Sequence, residues 1–461
     1  MDRGRRHGWV WLALPLGLGL MLRLWFVFHA ARIAGDTLIY GDIARNLLEH
    51  GVYGFTQDAG PPLPTLIRLP GYPLFLAVCF KVFGVERYTA VLLVQTFLDL
   101  LTCLLVSGLA GRLFGWRAEA AVLWLAALCP FTASYVAAPL TETLSLLCVA
   151  VTFYGMERWR AAGLGYGRWL WVTAAGLSYA ILLRPEQGLM SAAVVPALLW
   201  MCWERGAGRW RAYVPAVLAA VFVLLPLAPW GARNWRVFQV IQPLAPKNAV
   251  DPGESVPKGF QRWYRTWAID FTSTEDVYWN YDGDRVEVAD LPTRAFDTES
   301  QYARTEALFN DYDDTARDNA DLNQRFAVLA EERVKANPLR YYVALPVARL
   351  VNMAFRPRTE MLPVALEWWK FGEHRGQTLF AIGFAALNLG YFGLAGVGLR
   401  RWRMGPLGWA MAGTIGLRCA LLLTLDNSEP RYTLEFFPVL LVWCGAVWCC
   451  QKLDTSRGET V

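Results

Sequence analysis

Apolar residues in this chain do not alternate with polar ones. They gather in long runs with almost no internal charge, at roughly 9–31, 88–110, 118–137, 142–157, 169–183, 188–203, 211–230, 377–399, 405–425 and 432–450. About 20 consecutive apolar residues cross the roughly 30 Å hydrocarbon core of a bilayer as a helix. The pattern therefore predicts an all-α polytopic membrane protein with about ten transmembrane helices. Two further apolar runs are short and charged: Pro70–Gly84 holds Lys81, and 341–356 holds Arg349. We read the first as an interfacial helix and the second as a re-entrant or surface-lying helix.

The polar stretches are few and long. Residues 34–72 form a first loop, helical in pattern from Tyr40 to Glu49 with Ile43, Leu47 and Leu48 on one side. Residues 231–340 form a polar, aromatic region of about 110 residues, expected to be soluble and extracytoplasmic. Near its end Leu322, Phe326, Leu329 and Val334 recur at helical spacing, before a stop at Asn337-Pro338. The chain thus divides into an N-terminal membrane module (1–230), the polar region (231–340) and a C-terminal membrane module (341–461).

Charge adds orientation. Only 18% of the 461 residues are charged, against about 25% in soluble domains. Residues 231–340 hold 19 acids against 14 bases, so this region is at −5 while the rest of the chain is at +10. With the N-terminus inside, the clusters Arg3/Arg5/Arg6, Arg112/Arg117, Arg158/Arg160/Arg168, Arg205/Arg209/Arg211, Arg400/Arg401/Arg403 and Lys452/Arg457 all fall on the cytoplasmic side. That satisfies the positive-inside rule and places both termini in the cytoplasm of a multi-pass plasma (inner) membrane protein. The first run, preceded by Arg3, Arg5 and Arg6, has no convincing cleavage site and reads as an uncleaved helix. Bases scattered at span ends exclude a nucleic-acid partner, which would need them in one groove or stripe. None of the nine Cys falls in 231–340, so no disulfide framework exists there, and the four His lack metal-ligand spacing.

Candidate chemistry collects on the outer face. Asp36 and Asp42 lie in the first loop, where a carboxylate either caps a helix or deprotonates an attacking hydroxyl or amine. Arg68, in Arg68-Leu69-Pro70-Gly71-Tyr72-Pro73, and Arg184-Pro185-Glu186 suit a phosphate or interface anchoring. Glu142 opens a span, where it serves the helix dipole or lines a site. Arg233, Arg431 and Tyr432 stand at the outer ends of later spans. Charges within spans are costly: Arg23 and Arg418 are placed to reach an outer cavity, and Asp99 reads as a buried structural partner. Trp263, Trp267, Trp279, Asp270, Asp282 and Asp284 suit either an acceptor surface or a solvated domain with buried Trp.

These residues, in order, resemble the bacterial C-type glycosyltransferase superfamily, in the branch related to dolichyl-phosphate-mannose protein mannosyltransferases and the lipid A aminoarabinose transferase. The resemblance rests on Asp36-x-x-x-Tyr40-x-x-Ile43-Ala44, Arg68 through Pro73, Thr141-Glu142, Arg184-Pro185, Pro229-Trp230 with Arg233-Asn234, Asn337-Pro338 and Arg431-Tyr432. It implies transfer of a sugar from a polyprenyl-phosphate donor to an extracytoplasmic lipid, glycan or protein acceptor, with inversion. It makes Asp36 the general base and Glu142 a second acid of the site. Arg68, Arg184 and Arg431 become ligands of the donor phosphate, with Tyr40, Asp42, Tyr72, Arg233 and Tyr432 lining the cavity. Thr37 stands where many relatives carry a second acid, which implies catalysis without a metal, and no cofactor is implied beyond the lipid-linked substrate. The rival readings are a transporter or flippase of a lipid-linked sugar and a membrane scaffold. A transporter calls for midplane charges and matched broken helices, whereas the charges here gather at one face.

Overall fold

The computed structural model describes residues 10–206, 209–246, 248–313 and 316–449. The arginines at positions 3, 5 and 6, Lys452, Arg457 and Cys450 lie outside them, as do both chain ends. The contacts divide the chain into two compact units. One comprises Met1–Pro252, Leu389–Leu417 and Leu434–Val461; the other comprises Gly253–Asn388 and Arg418–Thr433. Residues 231–252 therefore fold with the first unit.

The first unit is helical: α1 (Val10–His29), α2 (Asp36–His50), α3 (Gly71–Phe83), α4 (Tyr88–Phe114), α5 (Trp116–Ala127), α6 (Pro130–Ser134), α7 (Glu142–Ala161), α8 (Arg168–Leu183), α9 (Gly188–Gly206), α10 (Val214–Leu224) and α11 (Leu227–Phe238). Among the described residues, its one departure from the all-α expectation is an antiparallel ladder of two residues per strand, β1 (Gly54–Phe55) on β2 (Leu63–Pro64), inside the first loop. Helix α4 is central, packing on α1, α5 and α7; α7 in turn packs on α8, and α2 on α3. The charge pair inside this bundle corrects the expectation for Arg23. That guanidinium is fully buried: Nε donates to Asp99 Oδ2 at 2.7 Å and Nη1 to the carbonyls of Gly19 and Ala127. Arg23 is the partner of Asp99, because a guanidinium this deep needs acceptors on every edge.

Among the described residues, four helices are long and apolar enough to cross a membrane: Trp11–His29, Tyr88–Phe114, Val214–Phe238 and Phe371–Arg401. The pair Trp116–Ala127 and Pro130–Ala137, bent by 42°, makes up to five. This differs from the ten apolar runs because several of them break or shorten. Helices Arg168–Leu183 and Pro406–Leu422 are apolar but short. The last run is a 3-10 turn, the nine-residue helix Phe437–Gly445 and another 3-10 turn. Every residue of Phe437–Gly445 is buried, packed against α4, α5 and α7.

The second unit contains α12 (Lys258–Arg265), α13 (Phe271–Ser273), α14 (Glu299–Asp313), α15 (Ala320–Ala336) and α16 (Leu345–Phe355). Asn319 caps α15 by accepting from Leu322 N, and Leu322, Phe326, Leu329 and Val334 are its buried stripe. Leu322, Phe326 and Leu329 pack into an aromatic core in which Trp263 and Trp267 are each 1% exposed. Those two indoles are therefore core, not an acceptor surface; Trp279 alone of the three is exposed. Gly259 lets α12 lie directly on α15, since a Cβ there would sit 1.8 Å from the Asn323 carbonyl oxygen. Asp270 caps α13 and pairs with Arg294.

Candidate active site

Helix α2 begins at Asp36 because Gly35, at φ 56° and ψ −125°, takes a backbone turn that a Cβ disfavours. Asp36 is the first helical residue, and Arg68 Nη2 donates to its Oδ1 at 2.7 Å. The carboxylate thus combines a helix N-terminus with a guanidinium partner. One turn on, Tyr40 lies under Arg68, whose guanidinium carbon is 5.8 Å from the ring centroid. The Tyr40 ring meets Tyr72 edge to face at 5.1 Å.

The turn from Arg68 to Gly71 is fixed by packing. A Cβ on Gly71 would lie 2.5 Å from the carbonyl oxygen of Leu182, so only glycine lets the start of α3 rest on the end of α8. Tyr179 of α8 adds a hydrogen bond from its hydroxyl to the Gly71 carbonyl at 3.1 Å. Arg184 follows α8 directly, so this contact brings Arg68 and Arg184 into one neighbourhood. Tyr72 donates to Gln95 Oε1 at 2.7 Å, and Gln95 Nε2 donates to the carbonyls of Val136 and Ala138. Thr37 Oγ1 reaches the Pro139 carbonyl at 3.4 Å. These bonds tie α2 and α3 to the segment leading into α7, whose first residue is Glu142. An acid in place of Thr37 would have no proton for that carbonyl.

Glu142 is buried and accepts from Arg184 Nη1 at 3.1 Å. Arg184 Nε also donates to Glu186 Oε1 at 2.7 Å and lies 3.5 Å from Glu435. Tyr40 joins this cluster to the first pair. Burial pushes its phenol up to about 12; Arg68 and Arg184 pull it down while Asp36 and Glu142 raise it. The hydroxyl stays protonated at neutral pH and can donate.

The remaining expected site residues divide. Asp42 pairs with Arg45 and accepts from both the backbone N–H and the hydroxyl of Thr56, so it clasps α2 to β1. Arg233 donates to the carbonyls of Thr65 and Tyr53 and sits over the Tyr53, Trp230 and Phe238 rings. Both hold the first loop in place. Arg431 and Tyr432 belong to the second unit. There Arg431 pairs with Glu429, and the Tyr432 hydroxyl donates to Glu429 Oε1 at 2.6 Å. Arg418, of the same unit, donates to the Tyr432 carbonyl. Gln95, Glu186 and Glu435 were not among the expected residues. Gln95 carried a signal, an amide in the middle of an apolar run. Glu435 carried none, since only the fold brings it to Arg184.

A cavity of about 450 Å³ lies beside the C-terminal half of α2, lined by Arg45, Asn46, Glu49, His50, Thr56 and Gln57 among others. Among the described residues, no three His, Cys, Asp or Glu side chains come together as a metal site.

The family model for dolichyl-phosphate-mannose-protein mannosyltransferases matches residues 64–232. The match covers less than half of the chain. The matched stretch contains Arg68, Tyr72, Glu142 and Arg184; Asp36 and Tyr40 precede it. No curated protein sequence matches the chain. Among solved structures, the chain is similar to ArnT from Cupriavidus metallidurans bound to undecaprenyl phosphate, at 15% identity over 95% of this chain and 78% of that one, TM-score 0.43. The apo state of the same protein gives 17% identity over 91% and 77%, TM-score 0.39. The archaeal oligosaccharyltransferase AglB from Archaeoglobus fulgidus, in complex with an inhibitory peptide and a dolichol-phosphate, gives 11% identity over 96% and 50%, TM-score 0.44.

Proposed function

We propose that this protein transfers a sugar from a polyprenyl-phosphate donor to an extracytoplasmic lipid, glycan or protein acceptor, with inversion at the anomeric carbon. The observation that carries the reading is the Asp36–Arg68 pair at 2.7 Å with Tyr40 beneath the guanidinium, set beside the end of α8 that carries Arg184 and its partner Glu142. Asp36 takes the proton of the acceptor as its oxygen or nitrogen attacks C1. The C1–O bond to phosphate breaks on the opposite face, and the departing phosphate keeps the electron pair. Arg68 stabilises that developing charge, and Tyr40 donates a hydrogen bond beside it. Arrival of the donor phosphate at Arg68 draws that guanidinium from Asp36 and so raises the basicity of the carboxylate. Arg184, held by Glu142, Glu186 and Glu435, is the less available cation and acts mainly by placing Glu142. The membrane arrangement that suits it has ten spans, both termini in the cytoplasm, and the site with residues 231–340 outside.

The decisive test separates binding from turnover in purified protein given a polyprenyl-phosphate sugar. Asp36→Asn is expected to lose about 10²–10⁴-fold in turnover while still binding donor. Arg68→Ala is expected to weaken donor binding at least tenfold, and more than Arg184→Ala does. Turnover by Asp36→Asn within threefold of wild type would remove Asp36 from the base role. If instead the lipid-linked sugar crosses vesicles intact with no transfer, the flippase reading takes over.

A further inference from the structure

The second unit carries a buried cation that the transfer reaction does not use. On α16 and the turn before it, Tyr341, Leu345, Arg349 and Met353 recur every fourth residue and form the buried face. Arg349 is 0% exposed. Its Nη1 donates to the carbonyls of Ala268 at 3.0 Å and Arg265 at 3.3 Å, at and just beyond the C-terminus of α12. Its Nε and Nη2 have no hydrogen-bond partner. Those two N–H groups form the edge with which arginine grips a carboxylate or phosphate side-on.

No carboxylate lies within ion-pair distance of Arg349 among the described residues. The acid in its neighbourhood is Asp426, which sits 3.2 Å from Arg265 Nε. Two guanidinium groups thus share one carboxylate and leave a surplus positive charge inside the fold. Such a charge is expensive unless something compensates it. Burial first, and Arg265 next, push the Arg349 guanidinium down to about 10, so it remains charged at neutral pH. Arg265 is 27% exposed and lies over the Tyr341 ring.

We propose that Arg265 and Arg349 form a phosphate-binding site in the second unit, separate from the transfer chemistry. Arg349 supplies the bidentate edge, Arg265 the second cation, and Asp426 keeps Arg265 oriented when the site is empty. A soluble phosphate and a lipid headgroup share this chemistry. The outer stripe of the same element, Leu339, Val343, Val347 and Val351, is exposed and wholly apolar, which suits acyl chains and favours the headgroup.

Thermal unfolding of the full-length protein tests the site. One arm adds inorganic phosphate or pyrophosphate in detergent. The other compares phosphatidylcholine nanodiscs with and without phosphatidylglycerol. Wild type is expected to gain about 5 °C at saturation in at least one arm. The arm in which it does so identifies the source. Arg349→Met should lose the gain, and Arg349→Lys, which keeps the charge without the fork, should lose most of it. Arg265→Gln, at a partly exposed position, serves if Arg349→Met does not fold. The proposal is overturned by no gain in either arm, or by an equal gain in the variants. Turnover with the polyprenyl-phosphate sugar should be the same in all these proteins when ligand is absent.

Discussion

At the scale of single residues, the deciding quantity is whether a buried charge has a partner. Arg23 and Asp99 each lie within an apolar run, where a lone charge costs about 2.5–3.5 kcal/mol on insertion scales, and they meet at 2.7 Å. Removing one partner strands the other: Asp99→Leu should cost about 3–5 kcal/mol, seen as a lowered unfolding midpoint in detergent. The double variant Arg23→Met/Asp99→Leu should recover most of that loss; if it does not, the pair is not what the two charges are there for. Asp36 is different. It is partly exposed and ion-paired, so its replacement bears on chemistry more than on folding. Both carboxylates stood out in the sequence, but only the distances separate the structural acid from the candidate base.

At the scale of elements, the site depends on one helix start resting on one helix end. Gly71 lies against Leu182 with no room for a methyl group, and Arg68 and Arg184 follow from that contact. Gly71→Ala should destabilise the protein by about 1–3 kcal/mol and lower donor affinity together, because the turn carrying Arg68 must move. Unchanged unfolding and unchanged donor binding would show that this contact does not set the turn. The helical stretch of the first loop and the stripe of α15 were readable from spacing. The ladder Gly54–Phe55 with Leu63–Pro64 was not, since two residues per strand leave no periodicity to detect. The 432–450 run is less regular than its composition suggests: helix Phe437–Gly445 is flanked by 3-10 turns and every one of its residues is packed in protein, and a hydropathy pattern does not distinguish a protein neighbour from lipid.

For the whole molecule, the predictions concern sides of a membrane. A reporter fused after Val461 should read as cytoplasmic, and a tag inserted beside Asp284 should be accessible from outside intact cells. Opposite labelling would invert the proposed arrangement and put the Asp36–Arg68 pair in the cytoplasm. The acidic balance of 231–340 and the Arg clusters elsewhere supply the expectation, since the bias acts during insertion and is carried by short loops.

Sequence alone determined that the chain is helical and membrane-embedded, and the ordered outer-face residues pointed to the family that matches 64–232. These follow from composition, periodicity and local order, which survive without tertiary contacts. Tertiary structure alone decided which acid meets which arginine. Asp36 and Arg68 are joined across 32 positions, Glu142 and Arg184 across 42, while Asp42 and Arg233 are spent on the loop. Such pairings depend on helix ends packed together by close contacts like that of Gly71, and no linear spacing encodes them.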